Sequence, residues 1–107
     1  MIIGIPKERK IDEYRVGITP EGVGMLVGDG HHVLVEQSAG NGSGMFDHQY
    51  VTAGASIVPS EKQLFEQAEM VVKVKEPTLA ESILSRKRTW QGAYTLSRMV
   101  IAAYRTE

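Results

Sequence analysis

Two cations beside short apolar runs are the residues of this chain best suited to hold a small acid. Arg15 follows Ile2-Ile3-Gly4-Ile5 across a polar stretch, within Glu13-Tyr14-Arg15-Val16. Its planar guanidinium presents a fork of donors that grips a carboxylate through two hydrogen bonds. The blander role for such a residue is an ion pair with Glu13 or Asp12. Lys75 ends the run Met70-Val71-Val72-Lys73-Val74 and precedes Glu76-Pro77. Its ammonium can hydrogen-bond a carbonyl or carboxylate oxygen, and its pKa responds to desolvation. Lys73 lies two positions earlier on the same strand face. Residue type and spacing do not choose between these lysines. Cations beyond the ends of parallel strands suit a carboxylate, because open α/β sheets bind ligands outside the carboxyl ends of their strands.

The elements that must position them are legible. Ile2 to Ile5 reads as a buried strand ended by Pro6, with a polar loop from Lys7 to Tyr14. Thr19-Pro20-Glu21 is a helix start, with Thr as cap and Pro in the first turn. Val23, Leu26 and Val27 share one face, and Gly28 or Gly30 stops the helix. Val33-Leu34-Val35 predicts a second strand, Phe46 or Asp47 to Ala53 a short helix, and Ser56-Ile57-Val58 a third strand. Ser60 caps a third helix with Leu64, Phe65 and Ala68 inward, and Met70 to Val74 is a fourth strand. Strands alternating with helices argue an α/β domain: a small parallel sheet with flanking helices and right-handed crossovers. From Thr78 onward the pattern weakens. Thr78 to Leu84 suits a helix, Ser85 to Thr89 is polar and basic, and Trp90 to Ala103 has no clean period, with Met99 to Ala103 suiting a last strand or a helical end.

Gly40-Asn41-Gly42-Ser43-Gly44 lies between a strand and a helix, where a phosphate-binding turn would sit. Position 45 is Met, so the G-x-G-x-x-G spacing fails, and a tight glycine-permitted loop is the better reading. The histidines are His31, His32 and His48. Their spacing makes no metal pair, and surface or capping roles are expected.

The chain has 107 residues, which suits one small domain with one core. Net charge is −1, which gives no electrostatic case for nucleic acid or a membrane surface. The charge is uneven: residues 1–77 hold 7 Lys+Arg and 11 Asp+Glu, and residues 78–107 hold 5 and 2. With no cysteine there are no disulfides and no thiolate metal ligands. No stretch approaches the ~20 apolar residues of a membrane span. No signal-peptide pattern opens the chain, so a cytoplasmic location is expected.

Four segments, in order, carry a family resemblance: Ile3-Gly4-Ile5-Pro6-Lys7-Glu8; Glu13-Tyr14-Arg15-Val16 with Thr19-Pro20; Ala39 to Gly44; and Val72-Lys73-Val74-Lys75-Glu76-Pro77. They resemble the amino-terminal part of alanine dehydrogenase. The proton-translocating nicotinamide nucleotide transhydrogenase shares part of the pattern, but Gly42 to Asp47 and Val72 to Pro77 favour alanine dehydrogenase. The resemblance covers residues 1–77 and fades after Pro77. It divides the chain into an amino-terminal family domain, 1–77, and a divergent, less regular tail, 78–107.

The resemblance implies a Rossmann-like or flavodoxin-like substrate-domain fragment. It implies a reaction in the complete enzyme: L-alanine, NAD and water give pyruvate, ammonia and NADH. It makes Arg15 the substrate-carboxylate residue and picks Lys75 over Lys73 as the second substrate contact. It implies NAD for the complete enzyme and none for this chain alone, since the Gly40–Gly44 loop does not correspond to the family's NAD site. The family's catalytic histidine ends an apolar-Thr-Tyr-Leu-His run. Here Ala93-Tyr94-Thr95-Leu96-Ser97 echoes the tyrosine, and no histidine follows His48. The expectation is a shortened or frame-disrupted reading frame, inactive alone, with no catalytic, cofactor or metal residue of its own. Its partners would be pyruvate or L-alanine, and a second copy or a longer subunit. The competing expectations are a transhydrogenase alpha-subunit segment and a non-catalytic carboxylate-binding module.

Overall fold

Short β-branched runs become the strands, and two of the three described α-helices begin on a hydroxyl cap. The computed structural model describes residues 1–9, 12–74, 90–96 and 101–106, the last two stretches through their backbone. Strand β1 spans Ile2–Ile5 and leads through a long loop to helix α1, Pro20–Gly28. The Thr19 hydroxyl accepts the Gly22 N–H at 3.1 Å, with Pro20 in the first turn, where its missing N–H costs nothing. Strand β2 is His32–Glu36, followed by a single 3-10 turn at Asn41–Ser43. Helix α2, Asp47–Ala53, and strand β3, Ser56–Val58, come next. Helix α3, Glu61–Gln67, starts where the Ser60 hydroxyl accepts the Gln63 N–H at 3.2 Å. Strand β4 is Met70–Lys73.

The sheet order is β3-β2-β1-β4-β6-β5, with β5 at Trp90–Leu96 and β6 at Ile101–Thr106. The first four strands are parallel. The expected parallel sheet is therefore present, and two antiparallel strands extend it beyond β4. The sequence pattern did not mark β5, and at Met99 to Ala103 it allowed a last strand, where β6 begins, or a helical end. A register shift between Trp90 and Ala93 breaks the two-residue alternation that would have marked β5. The expected helix at 78–84, the basic run at 85–89, the boundary after Pro77 and Lys75 itself lie outside the described residues.

The chain winds β1 to β2 to β3 in one direction, then α3 carries it back past both to β4 on the other side of β1. Right-handed crossovers that reverse direction must use opposite faces of the sheet. Accordingly Val23 of α1 and Tyr50 of α2 pack with Ile5, Val33 and Val35 on one face. Leu64 and Phe65 of α3 pack with Val58 and Val71 on the other, with Leu34 against them. Gly4 lets α3 sit close: a Cβ there would lie 2.8 Å from the Ala68 Cβ and 2.9 Å from Leu64 Cδ2. The reversal of winding places a crevice between the carboxyl ends of β1 and β4, where ligands of open α/β sheets bind.

Candidate functional site

The crevice is built by three loop starts. After β1, Pro6 is fully buried and turns the chain, and Glu8 points back under the sheet edge. Glu8 Oε1 meets Lys73 Nζ at 3.1 Å, and Glu8 Oε2 accepts the Val74 N–H at 3.1 Å. Both side chains of the pair are 1% exposed. A buried charge without a partner is strongly unfavourable, so this pair ties the end of β1 to the end of β4. Next to it, Lys7 N–H and the Arg9 guanidinium both donate to Glu36 at the end of β2. Arg9 Nε also reaches Glu61 at 3.1 Å, at the start of α3.

Arg15 sits in the loop that crosses this edge. Gly17, two residues on, lies against β4: a Cβ there would be 2.7 Å from the Val72 carbonyl oxygen. The Tyr14 carbonyl accepts the Ser43 hydroxyl at 2.5 Å, so the Arg15 loop rests on the glycine loop after β2. The guanidinium is paired with Glu13, Nε to Oε2 at 2.9 Å and Nη2 to Oε1 at 2.8 Å. The Arg15 backbone N–H also donates to Glu13 Oε2, at 3.0 Å. The hydrogen-bonded Glu13 carboxylate, with help from the charge of Glu8, raises the Arg15 pKa against a smaller opposing effect of burial, so the cation persists at every ordinary pH. This is the ion pair the residue types allowed.

Arg15 lines two cavities. One, about 270 Å³, is the more polar of the two, with Lys7, Glu8, Glu13, Tyr14 and Asn41 among its walls. The other, about 210 Å³, is more apolar, with Val16, Met45 and Val74 beside Arg15. Both fall below the ~300–1,000 Å³ of drug-sized ligand sites, so the space suits a small metabolite. Val74 is the chain neighbour of Lys75, which lies outside the described residues.

The Gly40–Gly44 loop does not fit a dinucleotide. Such a turn needs glycines whose open side meets the pyrophosphate. Here the open side of Gly42 is filled by Tyr14, whose Cβ would lie 3.1 Å from an added Cβ, and that of Gly40 by the Met45 carbonyl oxygen at 2.3 Å. Gly42 serves the packing of the Arg15 loop, and Gly40 the packing of Met45 and Tyr50. Among the described residues no three His, Cys, Asp or Glu side chains gather to hold a metal ion. His32 opens β2 and His31 precedes it, at the opposite end of that strand from the crevice. His48 stacks on Phe46 with ring centroids 6.2 Å apart.

Sequence reasoning missed the pairing of Glu8 with Lys73, and it missed Tyr50. The signal for Lys73 was present: a lysine inside Val-Val-Lys-Val must find a carboxylate when the strand is central. Tyr50 is fully buried, and its hydroxyl donates to the Ile18 carbonyl at 2.7 Å, which fixes the far end of the Arg15 loop. Burial and the nearby Asp47 charge push its pKa up to about 12.

Comparison with known proteins bears on what this edge does. The family described as alanine dehydrogenase/PNT, N-terminal domain, matches residues 4–99. This chain belongs to that family. The match continues past Pro77, where the sequence resemblance had faded. An alanine dehydrogenase of Bacillus subtilis is 53% identical over 87 residues, 81% of this chain and 23% of the relative. One of Methanococcus maripaludis is 52% identical over 81 residues, 76% of this chain and 22% of the relative. A solved L-alanine dehydrogenase superposes with TM-score 0.76 at 54% identity, covering 78% of this chain and 23% of that one. A transhydrogenase from Sinorhizobium meliloti superposes with TM-score 0.72 at 33% identity, covering 78% and 25%. The chain thus spans about a quarter or less of the length of these family members.

Proposed function

We propose that this chain is the amino-terminal, substrate-side part of an NAD-dependent L-alanine dehydrogenase, and that it is inactive alone. In the complete enzyme L-alanine, NAD and water would give pyruvate, ammonia and NADH. Arg15 would hold the substrate carboxylate through its fork, and Lys75 would hold a carboxylate or keto oxygen and polarise the carbonyl. The observation that carries this reading is the cavity at the β1–β4 crevice, where Arg15 and Val74 share a wall in a chain of this family. The glycine loop does not fit NAD, so hydride chemistry would need residues beyond those described here. A longer subunit would supply them, and the chain would associate with it or with a second copy, in the cytoplasm.

The transhydrogenase alternative fits the fold equally, but identity favours the dehydrogenases, at 52–54% against 33%. Titration with pyruvate, followed by amide chemical shifts, tests the site. The expected dissociation constant is on the order of 1 mM or weaker, because one exposed fork offers few contacts. Equal affinity in the wild type and Arg15→Ala would remove Arg15 as the anchor. An NADH oxidation assay with pyruvate and ammonia tests the other half. Turnover by the purified chain would overturn its inactivity, and pyruvate binding that a separately supplied NAD-binding remainder of the enzyme does not convert into turnover would favour a non-catalytic binding module.

A further inference from the structure

We infer that Glu13 is a positioning residue for the Arg15 carboxylate site: it holds the guanidinium by its Nε–Nη2 edge and leaves the Nη1–Nη2 edge for the ligand. The inference rests on the proposed carboxylate site and adds the group that orients it.

Three observations carry it. The pairing is bidentate and side-on, Nε at 2.9 Å and Nη2 at 2.8 Å from the two carboxylate oxygens. A guanidinium has five N–H donors, and this contact uses two, so three remain, including both on Nη1. No other described residue reaches the Arg15 guanidinium within hydrogen-bond distance. Burial is also unequal: the Glu13 side chain is 5% exposed and that of Arg15 is 44% exposed. The carboxylate is the fixed member and the cation is the presented one. Finally, Glu13 and Arg15 both line the polar cavity, but Arg15 lines the apolar one without Glu13. A small acid entering beside Val16, Met45 and Val74 would meet the guanidinium away from the internal carboxylate. Its methyl group would lie on the apolar wall.

A carboxylate beside a carboxylate site invites the opposite reading, in which Glu13 competes with the ligand for one fork. The free Nη1 edge argues against that, since both carboxylates can be held at once. Orientation also matters for an exposed arginine, because freezing its rotamers opposes binding. A pre-held fork avoids that loss, worth about two- to tenfold in affinity.

The test is pyruvate titration of the full 107-residue chain as wild type, Glu13→Asp, Glu13→Gln and Arg15→Ala, with the Arg15 Nε–H resonance followed in parallel. Glu13→Asp keeps the charge and loses the reach. It should weaken binding about two- to tenfold and shift or broaden the Nε–H signal. Tighter binding would mean competition, and unchanged binding would mean no role; either overturns the inference. Glu13→Gln keeps the shape and loses the charge. At ~1 M salt, where the Debye length is about 3 Å, the lost repulsion is screened and binding should still be weaker than wild type. If the Asp variant loses the amide pattern of Val33, Val35 and Val71, the Gln variant carries the test alone. Weakening in Arg15→Ala with none in the Glu13 variants overturns only the positioning role. Wild-type affinity in Arg15→Ala overturns the carboxylate site and this inference with it.

Discussion

Glu8 and Lys73 meet at 3.1 Å across the β1–β4 crevice, each side chain 1% exposed. Because Glu8 also accepts the Val74 N–H, one carboxylate fixes both the loop after β1 and the last described residue after β4. The pair therefore stands between the fold and the candidate site. It is a poor source of net stability and a strong constraint on geometry, since desolvating two ions offsets most of their attraction.

Removing one member should be far worse than removing both. Lys73→Met should destabilise by ~3–5 kcal/mol, because the buried Glu8 loses the cation that meets its Oε1. Adding Glu8→Leu to it should recover much of that loss. Urea unfolding of the two single variants and the double gives the coupling. Additive losses would show that the two charges are not a unit.

Tyr50 predicts an alkaline weakness. Its folded pKa is raised from 10.0 to about 12 because burial disfavours the phenolate. The fold thus favours the neutral form. That stabilisation is complete below pH 10 and is lost as pH rises toward about 12, amounting to no more than ~3 kcal/mol. Tyr50→Phe should cost ~1 kcal/mol at neutral pH, for the lost hydrogen bond to the Ile18 carbonyl. The gap between wild type and variant should close as pH rises through this window, and reverse once the full loss is reached. A constant gap in denaturant midpoints would show that Tyr50 does not titrate with unfolding.

Much of the fold was legible because its elements follow local rules. Thr19 with Pro20, and Ser60, mark helix starts by capping, and Val33 to Val35 and Val71 to Val74 mark strands by composition. The site was legible in part. Arg15 and its partner Glu13 are neighbours in sequence, so their pairing needed no tertiary knowledge. Glu8 and Lys73 are 65 positions apart, and only the reversal of winding at β1 brings them together. Tyr50 looked like one residue of a polar helix. Its burial depends on the meeting of α1 and α2, which periodicity in a seven-residue helix cannot show. The antiparallel β5 escaped because a register shift between Trp90 and Ala93 interrupts its alternation, and the run at Met99 to Ala103, which overlaps β6, suited a strand and a helical end alike.

The glycine loop should tolerate substitution according to space and not to glycine content. A Cβ at Gly40 would meet the Met45 carbonyl oxygen at 2.3 Å, whereas one at Gly28, at the end of α1, would meet nothing within 4 Å. Gly40→Ala should therefore cost ~1–3 kcal/mol by overpacking and shift the amides of Tyr14 and Arg15. Gly28→Ala should be stabilising by ~0.5–1 kcal/mol, by lowering the entropy of the unfolded chain. Thermal unfolding with amide shifts separates the two. Equal midpoints for both variants would contradict the packing argument.

Arg15→Lys should weaken pyruvate binding although it conserves the charge. Lysine offers a point charge without a planar fork, so it cannot hold Glu13 side-on and a second carboxylate end-on together. Its flexible stem would let the ammonium collapse onto Glu13 Oε1 and leave the apolar cavity without a donor. A loss of about tenfold is expected, close to that of Arg15→Ala. Salt should act differently on the three proteins. The Arg15 guanidinium is 44% exposed, so its attraction for pyruvate is screened, and affinity in the wild type should fall as ionic strength rises. The Lys and Ala variants have less to lose and should show a shallower dependence. Titrations at low and high salt, read from the amides of Val16, Met45 and Val74, measure both effects. Wild-type affinity in Arg15→Lys would mean that charge alone, and not the geometry of the fork, recruits the carboxylate.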